Sequence, residues 1–463
     1  MPQADLYVSS RGEAPRLGFS NTLFAGLAAD GGLYVPEVWP TLPPAIRAPL
    51  PYAEAAQAVM LPFVGDDIAP DVLARLVTES YSTFDHAEVA PLVEIGHDEW
   101  LLELFHGPTL AFKDLALQLL GRFFDHFLGE RQSRVTIIGA TSGDTGSAAI
   151  HAFRGRDNLD IFILHPEGRV SKVQRRQMTT VVDANVHNIA IDGTFDDCQA
   201  LVKAMFADMR FRGDLNLSAV NSINWARIMA QIVYYVTAAA ALAGKGPVTF
   251  AVPTGNFGDV YAGYAAQRMG LDVARLIVAT NRNDILARAL GDGDYRVGEV
   301  APTMSPSMDI QVSSNFERLL FELYDRDSTK ICALMAELVA DGGFTIARPQ
   351  LARAQQIFSA GRVDEEQTLA TMAEVYGATG LLVDPHTAVG ICAGRGQREP
   401  GSPLVILSTA HPAKFPEAVE RATGRRPEPP PALAAGLAGE ERCDSLPRDP
   451  AQVQAYIRAK ATL

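Results

Sequence analysis

Cysteine is scarce in this chain of 463 residues: there are four, Cys198, Cys332, Cys392 and Cys443, far apart and without a CxxC pair. That spacing excludes a disulfide framework and a cysteine-built zinc site, so the thiols read as reduced and no metal is expected. Positive charge is short as well. The 40 lysines and arginines face 54 aspartates and glutamates, a net charge of −14. A nucleic-acid partner would need a concentrated basic face, and the one dense basic group, Lys172 with Arg175 and Arg176, is too small to make one. No apolar run is long enough to span a bilayer. The longest, Ile232 to Ala243, carries Tyr234, Tyr235 and Thr237 and reads as a buried helix. The opening residues, Met1 to Tyr7, have neither a basic nor an apolar stretch, so no secretory signal is visible and a cytoplasmic location is expected. A Walker A ending and a GxGxxG fingerprint are both missing, which sets aside a nucleotide-binding module.

What is present is a globular composition, 48% hydrophobic and 20% charged, in a chain too long for one core. Residues 1–95 read as a small mixed N-terminal α+β domain, with the turns Tyr7 to Gly12 and Gly31 to Pro36 and helical periodicity over Tyr52 to Phe63 and Ala69 to Phe84. From Val135 onward one unit recurs: a short aliphatic run, a Gly/Ser/Thr/Asn loop, then a helical stretch. It begins at Val135, Ile161, Val186, Val248, Leu276 and Leu404. Such alternation predicts an α/β core, residues 96–425, with parallel sheets covered by helices. Its ligand is expected beyond the carboxyl ends of the strands. Gly291 to Met308 reads as a long loop over the site, and residues 426–463, with prolines at Pro427 and Pro429 to Pro431, as a loosely packed C-terminal tail.

Four stretches and one lysine carry the chemistry. Lys113 follows Gly107, Pro108 and Thr109, a turn with a possible N-cap, and opens an apolar helix. An ammonium at the edge of an apolar site loses hydration, its pKa falls, and the free amine becomes the nucleophile a Schiff base requires. Pro253 to Asp259 turns from a strand into a helix, so backbone N–H groups and the helix dipole can converge on a phosphate. Gly139 to Gly146 is a second such loop, suited to a carboxylate or another phosphate, and Asn221 to Arg227 brings amides, a hydroxyl and a guanidinium together near a helix start. Ser408 to Phe415 ends a buried strand with hydroxyls and with His411, either an acid/base group or a structural histidine. One amine beside two anion loops fits a cofactor that is both an aldehyde and a phosphate, namely pyridoxal phosphate.

His106 to Asp114, Gly139 to Gly146, Asn221 to Arg227, Pro253 to Asp259 and Ser408 to Phe415 together resemble the threonine synthase family, in its longer microbial and fungal form, whose N-terminal domain Tyr7 to Gly12 would open. The likeness runs in order along nearly the whole chain. It implies the tryptophan-synthase-β-like fold, type II of the pyridoxal-phosphate enzymes. It also implies conversion of O-phospho-L-homoserine and water to L-threonine and phosphate, the last step of threonine biosynthesis, by a monomer or homodimer. Lys113 would form the Schiff base, Gly255, Asn256, Phe257, Gly258 and Asp259 would line the cofactor phosphate, and Thr409 would bond the pyridine nitrogen. Thr141, Ser142, Asp144 and Thr145 would face the substrate's carboxylate or phosphate, with Ser222, Asn224 and Arg227 as a second phosphate group. The competing readings are another fold type II lyase, such as a serine/threonine dehydratase or a cysteine synthase, and a catalytically silent binder of phosphorylated small molecules.

Overall fold

The strands are aliphatic runs with both faces covered. Val135–Ala140, Leu159–Pro166, Val248–Pro253 and Leu404–Ser408 are buried along almost their whole length, as parallel strands between helical layers must be. The computed structural model describes residues 6–220 and 222–462. Two large sheets organise them. One has six strands in the order Phe358–Arg362, Val273–Thr280, Val248–Pro253, Leu404–Ser408, Glu99–Glu103 and Leu92–Gly96, all parallel except the last. The other has five parallel strands in the order Asp444–Pro447, Val186–Asp192, Leu159–Pro166, Val135–Ala140 and Leu217–Ser218.

Two apolar helices join the parts. Lys113–Arg131 packs on Asp144–Phe153, Pro70–Tyr81 and Trp225–Ala241. Trp225–Ala241 is buried on nearly every side and also meets Tyr52–Val64 and Gly258–Arg268. Trp225 is the anchor of the N-terminal domain, with Tyr7, Trp39 and Phe63 ringed around it at centroid distances of 5.9, 6.0 and 5.6 Å. Two further bonds cross the same seam: Asn224 Nδ2 donates to the Leu23 carbonyl at 2.8 Å, and the wholly buried Arg318 donates from Nε to the Tyr34 carbonyl at 3.1 Å.

Three expectations need correction. Residues 426–463 are no loose tail. Asp444–Pro447 pairs with Val186–Asp192, and helix Pro450–Lys460 buries Val453 and Ile457, one helical turn apart, in the same apolar cluster as Ile189 and Phe211. The stretch ahead of residue 96 is partly an edge strand, because Leu92–Gly96 pairs with Glu99–Glu103. Within the expected loop Gly291 to Met308, Asp294–Arg296 pairs with Gly343–Thr345, and beyond it Asp309 accepts hydrogen bonds from Asn281, Asn283 and Thr303. Among the described residues, no helix is long and apolar enough to cross a membrane.

Candidate active site

Lys113 is placed by a short antiparallel crossing between two chain segments. Leu110 takes a left-handed backbone (φ 60°) that turns the chain into it, a conformation branched side chains adopt only when their surroundings hold them there. Ala111 then bridges Ala410, and the Phe112 amide donates to the Thr409 carbonyl at 2.9 Å. Helix Lys113–Arg131 starts at the next residue, with no side-chain cap. The expected N-cap, Thr109, has a different task. Its amide and hydroxyl donate to the two oxygens of Asp114, the second residue of the helix, at 2.7 and 2.8 Å. The crossing puts the lysine and the end of strand Leu404–Ser408 side by side.

Around Lys113 lies a buried cluster of charge. Burial lowers its pKa; Asp144, at 3.7 Å from Nζ, opposes the shift, while Lys414 and Arg227 reinforce it. The helix N-terminus acts in the same direction as the two cations. Asp144 is the reverse case. Burial alone would raise its pKa, but Lys414 and Lys113 hold it well below the ordinary carboxylate range. Its Oδ1 accepts from Lys414 Nζ at 2.8 Å and Gln174 Nε2 at 2.9 Å, and its Oδ2 accepts from Ser307 Oγ at 3.1 Å. Asp114 is pushed up to about 6 by burial, against the pull of its bonds from Thr109.

The loop Pro253 to Asp259 opens its backbone towards the same space. Ser313 Oγ donates to the Gly255 carbonyl at 2.7 Å, and the amide and Nδ2 of Asn315 donate to the Asn256 carbonyl at 3.1 and 2.9 Å. With those carbonyls drawn away and Phe257 in a left-handed turn (φ 62°), the amides of Gly255 to Gly258 meet no acceptor among the described residues. Helix Gly258–Arg268 begins there and adds its positive end. Gly255 has no room for a side chain, since a Cβ would lie 2.7 Å from the Ser307 carbonyl. Ser307 thus touches both Gly255 and Asp144 and links the loop to the lysine. Asp259, in contrast, turns away. Tyr234 and Tyr235 hydroxyls donate to its Oδ1, and burial pushes it up to about 6. It is no part of the cradle except through its backbone.

The remaining expected residues separate into committed and available groups. Thr141 accepts from the amides of Gly143 and Gly146 at 3.0 and 2.9 Å and so shapes its own loop. Asn224 caps helix Trp225–Ala241 and ties down Leu23, which leaves its amide engaged. Asp144 is committed at both oxygens, to Lys414 and Gln174 on one and to Ser307 on the other. Ser142 is exposed, and Thr145 and Ser222 are half-buried; their hydroxyls have no hydrogen-bond partner among the described residues. Arg227 is buried, donates to the Val220 carbonyl at 3.3 Å and leaves its Nε unpaired. Asn221 lies outside the described residues. The Thr409 hydroxyl, at the strand end beside Lys113, has no hydrogen-bond partner among the described residues. His411 is structural: its Nδ1 accepts from the Ala413 amide at 3.1 Å, and burial pushes its pKa down to about 4.

Sequence reasoning missed Lys414, Gln174, Ser307 and Asn315, and also a dyad of Asp384 and His386. His386 Nδ1 lies 2.6 Å from Asp384 Oδ2, and its Nε2 accepts from the Ser307 amide at 3.2 Å, which pins the Ser307 turn. None of these stands in a run that marks it out. Lys414, just past His411-Pro412, and Ser307, inside the Gly291 to Met308 loop, lay within stretches already singled out, but neither for this role.

These residues fit a phosphorylated aldehyde cofactor: unpaired amides at a helix start, a glycine there with no room for a Cβ, a lysine only 11% exposed and of lowered proton affinity, and an unpaired hydroxyl at the strand end that its segment crosses. Comparison with known proteins agrees. Three family models match, described as threonine synthase N terminus over residues 6–81, pyridoxal-phosphate dependent enzyme over 88–361 and threonine synthase, C-terminal, over 387–457. The chain is 55% identical to a threonine synthase of Pseudomonas aeruginosa over 97% of each chain. It is 44% identical to that of Saccharomyces cerevisiae over 91% of this chain and 90% of the relative. Among solved structures, the pyridoxal-phosphate-bound threonine synthase of Brucella melitensis superposes with a TM-score of 0.96 at 53% identity, covering 99% of this chain and all of the other.

Proposed function

The chain belongs to the threonine synthase family, pyridoxal-phosphate-dependent lyases of fold type II, and from that premise we propose that it converts O-phospho-L-homoserine and water to L-threonine and phosphate at Lys113. The observation that supports the reading is an amine of lowered proton affinity whose helix starts where Phe112 bonds Thr409, together with the open amides of Gly255 to Gly258, which Ser307 links to it through Asp144. When bound, pyridoxal phosphate supplies an electron sink for charge developing on substrate carbons.

The protein's own groups do the rest. The Gly255 to Gly258 amides and the helix start beside them would hold the cofactor phosphate, and the Thr409 hydroxyl would bond the ring nitrogen without holding it protonated. Lys113, as the free amine, would take the proton from the substrate α carbon and pass it to the phosphate, then take one from the β carbon; phosphate leaves Cγ, the β proton is returned to Cγ to make the methyl, water adds its oxygen at Cβ, and the water's remaining proton goes through the amine to the α carbon. The Ser142, Thr145 and Ser222 hydroxyls, with Arg227 behind them, receive the substrate's carboxylate and phosphate ends. The test is an absorbance spectrum of the purified protein, then addition of O-phospho-L-homoserine with free phosphate and threonine assayed together. A yellow protein releasing both in equal amounts is the expected outcome. A yellow protein inert to this substrate that forms a keto acid from threonine or serine would overturn the reading in favour of a dehydratase.

A further inference from the structure

Lys414 has no part in the chemistry above, yet its ammonium is fully buried. A buried cation is tolerated only where its partners are good, and Lys414 has two: it donates to the Thr109 carbonyl at 2.7 Å and to Asp144 Oδ1 at 2.8 Å. The second bond matters for Lys113. Asp144 is the carboxylate nearest to Lys113, but the two stand 3.7 Å apart, beyond hydrogen-bond distance, because Lys414 and Gln174 hold one oxygen and Ser307 the other.

We propose that Lys414 is a positioning residue that keeps Asp144 engaged, so that the Lys113 amine stays available to bond the cofactor and to move protons. This inference rests on the reading that Lys113 carries the cofactor. The bond in question forms when the amine lone pair adds to the aldehyde carbon and water leaves, and an ammonium, having no lone pair, cannot begin it; its proton must first go to solvent.

The charges around Lys113 come from every element packed on it. Asp144 opens helix Asp144–Phe153, Lys414 follows strand Leu404–Ser408, Arg227 lies in Trp225–Ala241, Asp114 is on the lysine's own helix, and Asp259 is in Gly258–Arg268. Of the carboxylates, Asp144 acts most strongly to hold the proton on Lys113, and Lys414 is the strongest cation against it. Removing the Lys414 charge leaves the first with only Gln174 and Ser307 and deletes the second, and both changes favour the ammonium.

The experiment follows loading of pyridoxal phosphate onto full-length, cofactor-stripped protein by absorbance near ~400 nm, with borohydride trapping, across pH. For Lys414→Met, the rising limb of the loading rate is expected to move up by at least one pH unit. Loading near neutrality then slows about tenfold or more and recovers in alkali. Lys414→Gln, which keeps a donor for Thr109 and Asp144 but no charge, is expected to shift the same way and carries the test if the methionine variant does not fold. Lys414→Arg should retain the wild-type limb, and the double change Asp144→Asn with Lys414→Met should bring it back. Limbs that overlay wild type, a loss of rate equal at all pH values, or no return in the double variant would overturn the proposal. A wild-type protein that traps no cofactor at Lys113 would instead overturn the functional reading beneath it.

Discussion

Two glycine-rich turns in this molecule share a grammar and differ in electrostatics. Gly139 to Gly146 follows a strand of the five-stranded sheet, Pro253 to Asp259 a strand of the six-stranded one, and each places an aspartate in the first turn of the next helix. Asp144 meets two lysines and stays ionised far below the usual range, whereas Asp259 meets two tyrosine hydroxyls and is pushed up to about 6. Both are buried. The difference teaches that burial sets the penalty for charge and the partner decides whether it is overcome.

The largest effect tests what both turns surround. Lys113→Ala should abolish the absorbance near ~400 nm and lower turnover by about 10³-fold or more while leaving Tm close to wild type, because it deletes an amine and little core volume. Next comes the contrast itself. Asp144→Asn leaves the Lys414 ammonium without its counter-charge and should cost about 3–5 kcal/mol in chemical denaturation; Asp259→Asn should cost clearly less. Their pH trends run oppositely. Asp144, depressed in the folded state, stabilises fully above the ordinary value of 3.8 and loses that stability only below it, so the deficit of Asp144→Asn holds from about pH 7 down to about pH 4 and shrinks in stronger acid. Asp259, raised in the folded state, costs stability as pH rises from about 4 through about 6, so the deficit of Asp259→Asn grows as pH falls from about 6 to about 4. Parallel trends would break the comparison.

A change in the second turn alone sharpens it. Gly255→Ala drives a Cβ into the Ser307 carbonyl and should weaken pyridoxal phosphate binding by about 1–3 kcal/mol in a titration of stripped protein. The smallest effects are expected at the threonines that shape each turn. Thr141→Val strands two buried amides, Gly143 and Gly146, at about 1–3 kcal/mol in denaturant unfolding. Thr254→Val removes one hydroxyl donated to the Val252 carbonyl, at about 1 kcal/mol or less.

How much of this was legible in the sequence depends on range. The strand-loop-helix units announced the sheets because parallel strands buried on both faces are written as unbroken aliphatic runs. The C-terminal residues misled because prolines dominate their opening, while the signals for burial, Val453 and Ile457, are only two residues that need the five-stranded sheet to cover them. Thr109 looked like a cap from its place before the helix, but the helix starts later and Asp114 claims both its amide and its hydroxyl. Asp144 read as a ligand for an anion because nothing nearby in the chain shows that Lys414 fills one of its oxygens.

The sequence by itself determined the local matters: an apolar helix opening on Lys113, glycines where a turn approaches another backbone, hydroxyls at a strand end, and the order in which they come. These follow from neighbouring residues, through periodicity, turn chemistry and the absence of a Cβ. Tertiary structure alone decided which charges meet. Lys113, Asp144 and Lys414 converge because the segment before one helix crosses the end of a distant strand. The charge state of a buried carboxylate depends on the few ångströms around it, wherever along the chain those partners originate.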